Sequence, residues 1–102
     1  MDNINFIVAE LVEKYNTNDP FEIANELGIC TIICPLGKIK GHSTIIDNSK
    51  VFFINSNLSQ VHKNIVCSAI LGHIILYSDL TTLHFNLEFS NNIDKFIKEL
   101  LI

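Results

Sequence analysis

The fold is decided by the stretch Ile65-Val66-Cys67-Ser68-Ala69-Ile70-Leu71-Gly72-His73-Ile74-Ile75-Leu76-Tyr77, the most apolar part of the chain. Only Ser68 and His73 interrupt the apolar run. A helix that spans a bilayer needs about 20 predominantly apolar residues, so this stretch is too short to cross a membrane. It predicts a long helix, beginning near residues 58–60, that is buried at the centre of a soluble protein.

Two helices are predicted before this central helix. Apolar residues recur at three- and four-residue spacing over residues 4–15, which predicts a first helix capped by Asp2 or Asn3. The sequence Asp19-Pro20-Phe21-Glu22 predicts the start of a second, short helix. There the aspartate serves as the cap, the proline occupies the first turn and the glutamate completes a capping box. This helix is expected to end at Gly28, where a left-handed residue suits the C-terminus.

Three strand candidates lie between the second helix and the central helix. Residues 29–34 are apolar and rich in β-branched side chains, which predicts a buried strand. Residues 42–47 and 50–55 are joined tightly through Asn48-Ser49, as expected of a hairpin. Residues 51–54 are continuously apolar, so the third strand is expected to be covered on both faces.

The last part of the chain is predicted to hold a connection at 79–86 and an amphipathic helix capped by Asn91 or Asn92. The apolar face of that helix is formed by Ile93, Phe96, Ile97, Leu100 and Leu101. The element order is therefore α-α-β-β-β-α-α. We predict a single α+β domain over residues 1–102, with a three-stranded sheet and a central buried helix.

The composition limits the class of partner and the compartment. Asp and Glu number 11 against 7 basic residues, giving a formal net charge of −4, and every basic residue is lysine. Direct nucleic-acid binding usually needs a basic surface and the guanidinium groups of arginine, so it is not expected. Cys30, Cys34 and Cys67 are an odd set with no signal peptide before them, which predicts reduced thiols in a cytoplasmic protein.

The central helix resembles the metal-binding helix of the ImmA/IrrE metallopeptidases. That helix typically reads V-C-A-H-E-L-G-H-A-L-L-H-x-D-L, and this chain reads V-C-S-A-I-L-G-H-I-I-L-Y-S-D-L at residues 66–80. Residues 18–24, 35–41 and 54–58 also resemble segments of the family. The resemblance covers roughly residues 10 to 101 and implies a small zincin-like domain.

The same resemblance implies that the metal chemistry has been lost. In the family motif, two histidines four residues apart bind zinc on one helix face, and the adjacent glutamate polarises the attacking water. Here Ala69 stands at the first histidine and Ile70 at the glutamate, while His73 retains the second histidine. Asparagine, at Asn91 and Asn92, stands where a further glutamate ligand is expected. These five residues form a degenerate metal pocket, and the resemblance implies no catalytic residue and no bound cofactor.

A weaker alternative keeps a metal through other ligands. His84 in the predicted connection and Asp94 in the last helix could approach His73, although such a site would still lack an obvious general base. The remaining donors considered are His42, His62, Asp79 and Glu88. Zinc is therefore expected only in this alternative interpretation.

Three functional interpretations of different classes remain open. The first is a catalytically inactive peptidase-like regulator that binds a protein or peptide, for which the family implies a repressor of a phage or mobile element. The second is a zinc-dependent peptidase with unorthodox ligands. The third is a self-associating structural domain, because the last helix ends in the apolar sequence Leu100-Leu101-Ile102.

Overall fold

A computed structural model describes residues 3–77, 83–85 and 91–102 and shows an α+β fold. The elements are α1 (Ile4–Tyr15), α2 (Pro20–Glu26), β1 (Cys30–Cys34), β2 (Gly41–Ile46), β3 (Ser49–Asn55), α3 (Gln60–Tyr77), β4 (Leu83–Phe85) and α4 (Asn91–Leu101). The predicted fold class and the order of the seven predicted elements are confirmed. The structure adds a fourth, short strand, β4, within the segment that the sequence assigned to a connection. In the described ranges, no helix is long and apolar enough to cross a membrane.

Helix α2 begins and ends at the capping residues that the sequence predicted, whereas helix α4 does not begin where predicted. The Asp19 carboxylate accepts a hydrogen bond from the Phe21 amide at 2.9 Å, with Pro20 in the first turn. Gly28 follows α2 with a φ of 77°, as predicted for its C-terminus. Helix α4 already begins at Asn91, so Asn91 and Asn92 lie in its first turn and the prediction that one of them is the cap is wrong by one or two residues.

The sheet has the strand order β1-β3-β2-β4. Strand β1 pairs in parallel with β3, whereas β2 pairs antiparallel with both β3 and β4. The β2–β3 turn has positive φ angles of 49° at Asp47 and 67° at Asn48, the signature of a type I′ hairpin turn. The sequence placed this turn one residue later, at Asn48-Ser49.

Strand β1 is an edge strand, and the prediction that it is buried is wrong. Its Ile32 and Ile33 side chains are 39% and 50% exposed, because the described part of the chain places a neighbour on only one side of β1. Strand β3 lies between β1 and β2 and is internal in the described sheet. It buries Phe52 toward the helices and Val51 on the opposite face, as its continuous apolar sequence predicted.

Helix α3 lies at the centre of the core. It packs against α2, α4 and strands β2, β3 and β4, and its residues from Val66 to Gly72 are all buried. Two glycines allow its neighbours to approach. A Cβ atom at Gly72 would lie 2.9 Å from Cδ1 of Phe96 on α4, and a Cβ atom at Gly41 on β2 would overlap the Val66 side chain. These contacts fix α3 between α4 and the sheet.

Candidate functional site

The first two motif positions on α3 are part of the packed core. Ala69 and Ile70 are both 0% exposed. The Ile70 side chain lies 3.3 Å from the position that a Cβ atom of Gly41 would take, so it packs directly against β2. Their apolar side chains are enclosed by the core at the positions that the sequence resemblance assigns to a metal ligand and a carboxylate.

Some positions that match the family pattern have a packing role. Leu71 is fully buried, and Gly72 allows Phe96 to approach the helix. Phe96 itself matches the aromatic residue of the family segment E-A-D-x-F at the start of the last helix. Gly72 and Phe96 therefore hold α3 against α4.

His73 is half-buried and belongs to a small polar cluster at the end of α3. Its ring centroid lies 5.5 Å from that of Tyr77, with the two planes inclined by 52°. The Asn92 side-chain amide donates a hydrogen bond to the Tyr77 hydroxyl oxygen at 3.1 Å. Asn92 is therefore the member of the asparagine pair that reaches α3, whereas Asn91 is exposed at the helix start.

Tyr77 is the residue at this site that the sequence interpretation missed. It stands where the family helix pattern has a further histidine. A comparison of the two helix patterns could therefore have identified Tyr77 as a residue of the site. Its ring is 41% exposed while its hydroxyl accepts the bond from Asn92. We refer to His73, Tyr77 and Asn92 as the α3-end cluster.

The alternative ligands do not assemble in the part that the structure describes. Asp94 forms an ion pair with Lys98, with Oδ2 and Nζ 2.8 Å apart and both side chains well exposed. His84 lies opposite His42 in the β2–β4 register, and its side chain, like Asp79 and Glu88, lies outside the described residues. Among the described residues, no group of three or more histidine, cysteine, aspartate or glutamate side chains could hold a metal ion.

The donor set at the motif does not fit zinc. A structural zinc site needs four protein ligands and a catalytic one needs three together with a base for its water. Of the five degenerate-pocket residues, only His73 carries a side chain that ordinarily ligates zinc. The amide of Asn92 is engaged with Tyr77, and Ala69 and Ile70 offer no donor atom.

Other histidines lie away from this site. His62 is exposed in the first turn of α3, with its Nδ1 atom 2.8 Å from the Ser59 hydroxyl. His42 packs its ring against Phe53, with centroids 5.8 Å apart. Because Gly41 faces α3 and neighbouring strand residues alternate, His42 lies on the opposite face of the sheet.

The nucleophiles on α3 are not activated. Burial raises the pKa of the Cys67 thiol far above its ordinary value, and the negative charge of Asp19 raises that pKa further. The thiol therefore stays protonated at neutral pH, when a nucleophilic cysteine would need to be a thiolate. The Ser68 hydroxyl is fully buried and has no hydrogen-bond partner among the described residues, so no base in these ranges activates it.

A cavity of about 550 Å³ lies elsewhere, between α1, the α1–α2 connection and the end of α4. Val8, Val12, Glu99 and Leu100 contribute to its walls, and none of the degenerate-pocket residues does. Leu100 is 1% exposed, whereas Ile102 is 97% exposed. At the apolar end that the sequence suggested for self-association, Leu100 therefore lies in the core and Ile102 is exposed.

Comparison with known proteins identifies the scaffold. Residues 24–98 match the family model described as the IrrE N-terminal-like domain. The chain is also 37% identical over 76 residues to a Bacillus phage phi105 protein named "Uncharacterized immunity region protein 2". That match covers 74% of this chain and 48% of the phage protein, so the chain spans about half the length of this relative. The chain belongs to the IrrE N-terminal-like domain family.

Proposed function

We propose that this chain is a non-catalytic member of its family that regulates by binding a protein or peptide. One observation carries this proposal: the donor positions of the motif are occupied by Ala69 and Ile70, which are fully buried in the core. Resident zinc is not part of the proposed function. In this proposal, the protein regulates by binding its partner on the surface of the folded domain.

The name of the phage relative supports a repressor as the class of partner. The phage protein that this chain resembles takes its name from an immunity region. Family peptidases act on repressors, as the sequence resemblance implied. A scaffold that retains the substrate surface without the metal chemistry would hold such a repressor intact.

The α3-end cluster is the surface that fits this role. Tyr77 presents a partly exposed aromatic ring there, flanked by His73 and Asn92. Exposed tyrosines are frequent anchors in protein interfaces because they combine apolar area with a polar tip. Strand β4 packs against α3 and is the adjacent edge of the sheet within the residues that the structure describes. An extended segment could add there by backbone hydrogen bonds.

A titration against a purified phage repressor tests the proposal. We expect saturable binding by calorimetry, and we expect the repressor to remain full-length on a gel after incubation with and without added zinc. Tyr77→Ala should weaken binding about tenfold, the effect of removing an interface anchor worth over 1 kcal/mol.

Phe6→Ala is the matched control, because it truncates an aromatic ring that is 67% exposed on α1, and it should bind like the parent chain. Absence of binding would overturn the proposed interaction. Zinc-dependent cleavage of the repressor would overturn the proposed inactivity and support the peptidase with unorthodox ligands instead.

A further inference from the structure

Strand β1 lacks the features that usually protect the edge of a sheet. Its five residues, Cys30-Thr31-Ile32-Ile33-Cys34, carry no charge, no proline and no glycine. Natural edges commonly use lysine, proline or a bulge to prevent another strand from pairing with them. Here two isoleucines are 39% and 50% exposed on successive positions, so both faces of the edge are apolar.

The backbone of β1 presents an alternating set of groups at this edge. The Cys34 carbonyl accepts a hydrogen bond from the Ser56 amide at 3.0 Å, which directs the backbone groups of Cys34 toward β3. In a parallel pair, alternate residues direct both backbone groups to the same neighbour. Thr31 and Ile33 therefore direct their N–H and C=O groups to the side on which the described residues place no neighbouring strand.

The sequence of β1 is nearly the same in both directions. If two copies pair antiparallel about Ile32, Thr31 of one copy lies opposite Ile33 of the other, and these residues exchange backbone hydrogen bonds. Cys30 of one copy then lies opposite Cys34 of the other, in a non-hydrogen-bonded pair. This register uses every backbone group that β1 directs outward, and it pairs cysteine with cysteine at 30 and 34 and isoleucine with isoleucine at 32.

We propose that two copies of this chain associate through β1, in antiparallel register about Ile32. The two four-stranded sheets then form one continuous sheet across a two-fold axis. This inference is independent of the proposed function, because the partner surface at the α3-end cluster lies on a different part of the fold. It also places self-association at the edge of the sheet instead of at the end of α4.

Disulfide trapping tests the register. In a non-hydrogen-bonded antiparallel pair, the Cα atoms lie about 4.5 Å apart, within the range that a disulfide spans. Diamide serves as the oxidant: the two thiols of a Cys30–Cys34 pair lose two electrons and two protons, which reduce its azo group to a hydrazine. Cys67 is fully buried and protonated, so it is not expected to react.

Variants that each lack one of the two β1 cysteines distinguish the register from chance collisions. We expect the parent chain to give a covalent dimer on a non-reducing gel, and Cys30→Ser and Cys34→Ser each to remain monomeric alone. An equimolar mixture of the two variants should restore the covalent dimer, since it pairs Cys34 of one chain with Cys30 of the other. Cross-linking of either variant by itself, or no rescue in the mixture, would overturn the register.

A second measurement tests association without oxidation. Ile32→Lys places two ammonium groups face to face at the axis and should raise the dissociation constant of the dimer at least about tenfold by sedimentation equilibrium. Ile46→Lys is the matched control on β2, since Ile46 is 48% exposed and faces the same side of the sheet. The control should associate like the parent chain. A monomeric parent chain, or equal effects of the two substitutions, would overturn the proposal.

Discussion

Ile70→Glu, which restores the glutamate of the family motif, should lower the free energy of unfolding at pH 7 by about 3–5 kcal/mol, the cost of a buried charge without a partner. Ile70 is 0% exposed and packs against β2 at Gly41. The sequence resemblance assigns the catalytic carboxylate of the family to this position, which is enclosed in this structure. Since a domain of this size is stable by roughly 5–15 kcal/mol, the loss should be evident in urea unfolding.

The pH dependence separates buried charge from simple loss of packing. Desolvation raises the pKa of the introduced carboxyl in the folded state above its unfolded value of about 4.3. The variant is therefore least destabilised, relative to the parent chain, below that unfolded value, and it loses stability as the pH rises through the folded pKa. Ile45→Glu, at a side chain 47% exposed, should change stability by less than about 0.5 kcal/mol at every pH. Equal losses in the two variants would contradict a closed pocket.

Phe96→Ala should lower the free energy of unfolding by about 3–5 kcal/mol, as expected for the loss of a fully buried phenylalanine. Phe96 is 0% exposed, and its ring lies against Gly72 at the contact between α4 and α3. Truncation leaves a cavity that the glycine cannot fill, and urea unfolding of parent and variant measures the difference.

Phe6→Ala provides the comparison, because the same atoms are removed from a ring that is 67% exposed. Its unfolding midpoint should remain close to that of the parent chain. If Phe96→Ala lowered the free energy of unfolding as little as Phe6→Ala, the contact between Gly72 and Phe96 would not be important for packing α3 against α4.

The sequence predicted the helices better than it predicted the environment of the strands. Helical periodicity and the Asp19 cap are local signals, and they placed α1, α2, α3 and α4 within a few residues. Whether β1 is an edge strand or an internal strand depends on the strand order, which local sequence does not determine. An apolar, β-branched run is compatible with an internal strand and with an uncharged edge strand. Strand β4 is only three residues long, and its pairing with Gly41–Ser43 of β2 joins residues some 40 positions apart along the chain.

At the candidate site, the sequence predicted which donors are absent but not what replaced them. The identities of Ala69 and Ile70 already excluded ligation, whereas their complete burial required the structure. The bond between Tyr77 and Asn92 links two helices across a segment that has no periodic pattern. A tyrosine in place of a motif histidine was visible in the sequence, but its partner could only be found in three dimensions.

The zinc content of the purified protein tests the central claim most directly: this scaffold has kept its packing and lost its metal chemistry. The chain should be prepared without a histidine tag, incubated with equimolar zinc, desalted and measured by plasma mass spectrometry. We predict a zinc-to-protein ratio close to zero, because His73 is the one zinc-binding side chain among the five degenerate-pocket residues. A ratio close to one would contradict this claim and would support the alternative interpretation, a zinc-dependent peptidase with unorthodox ligands.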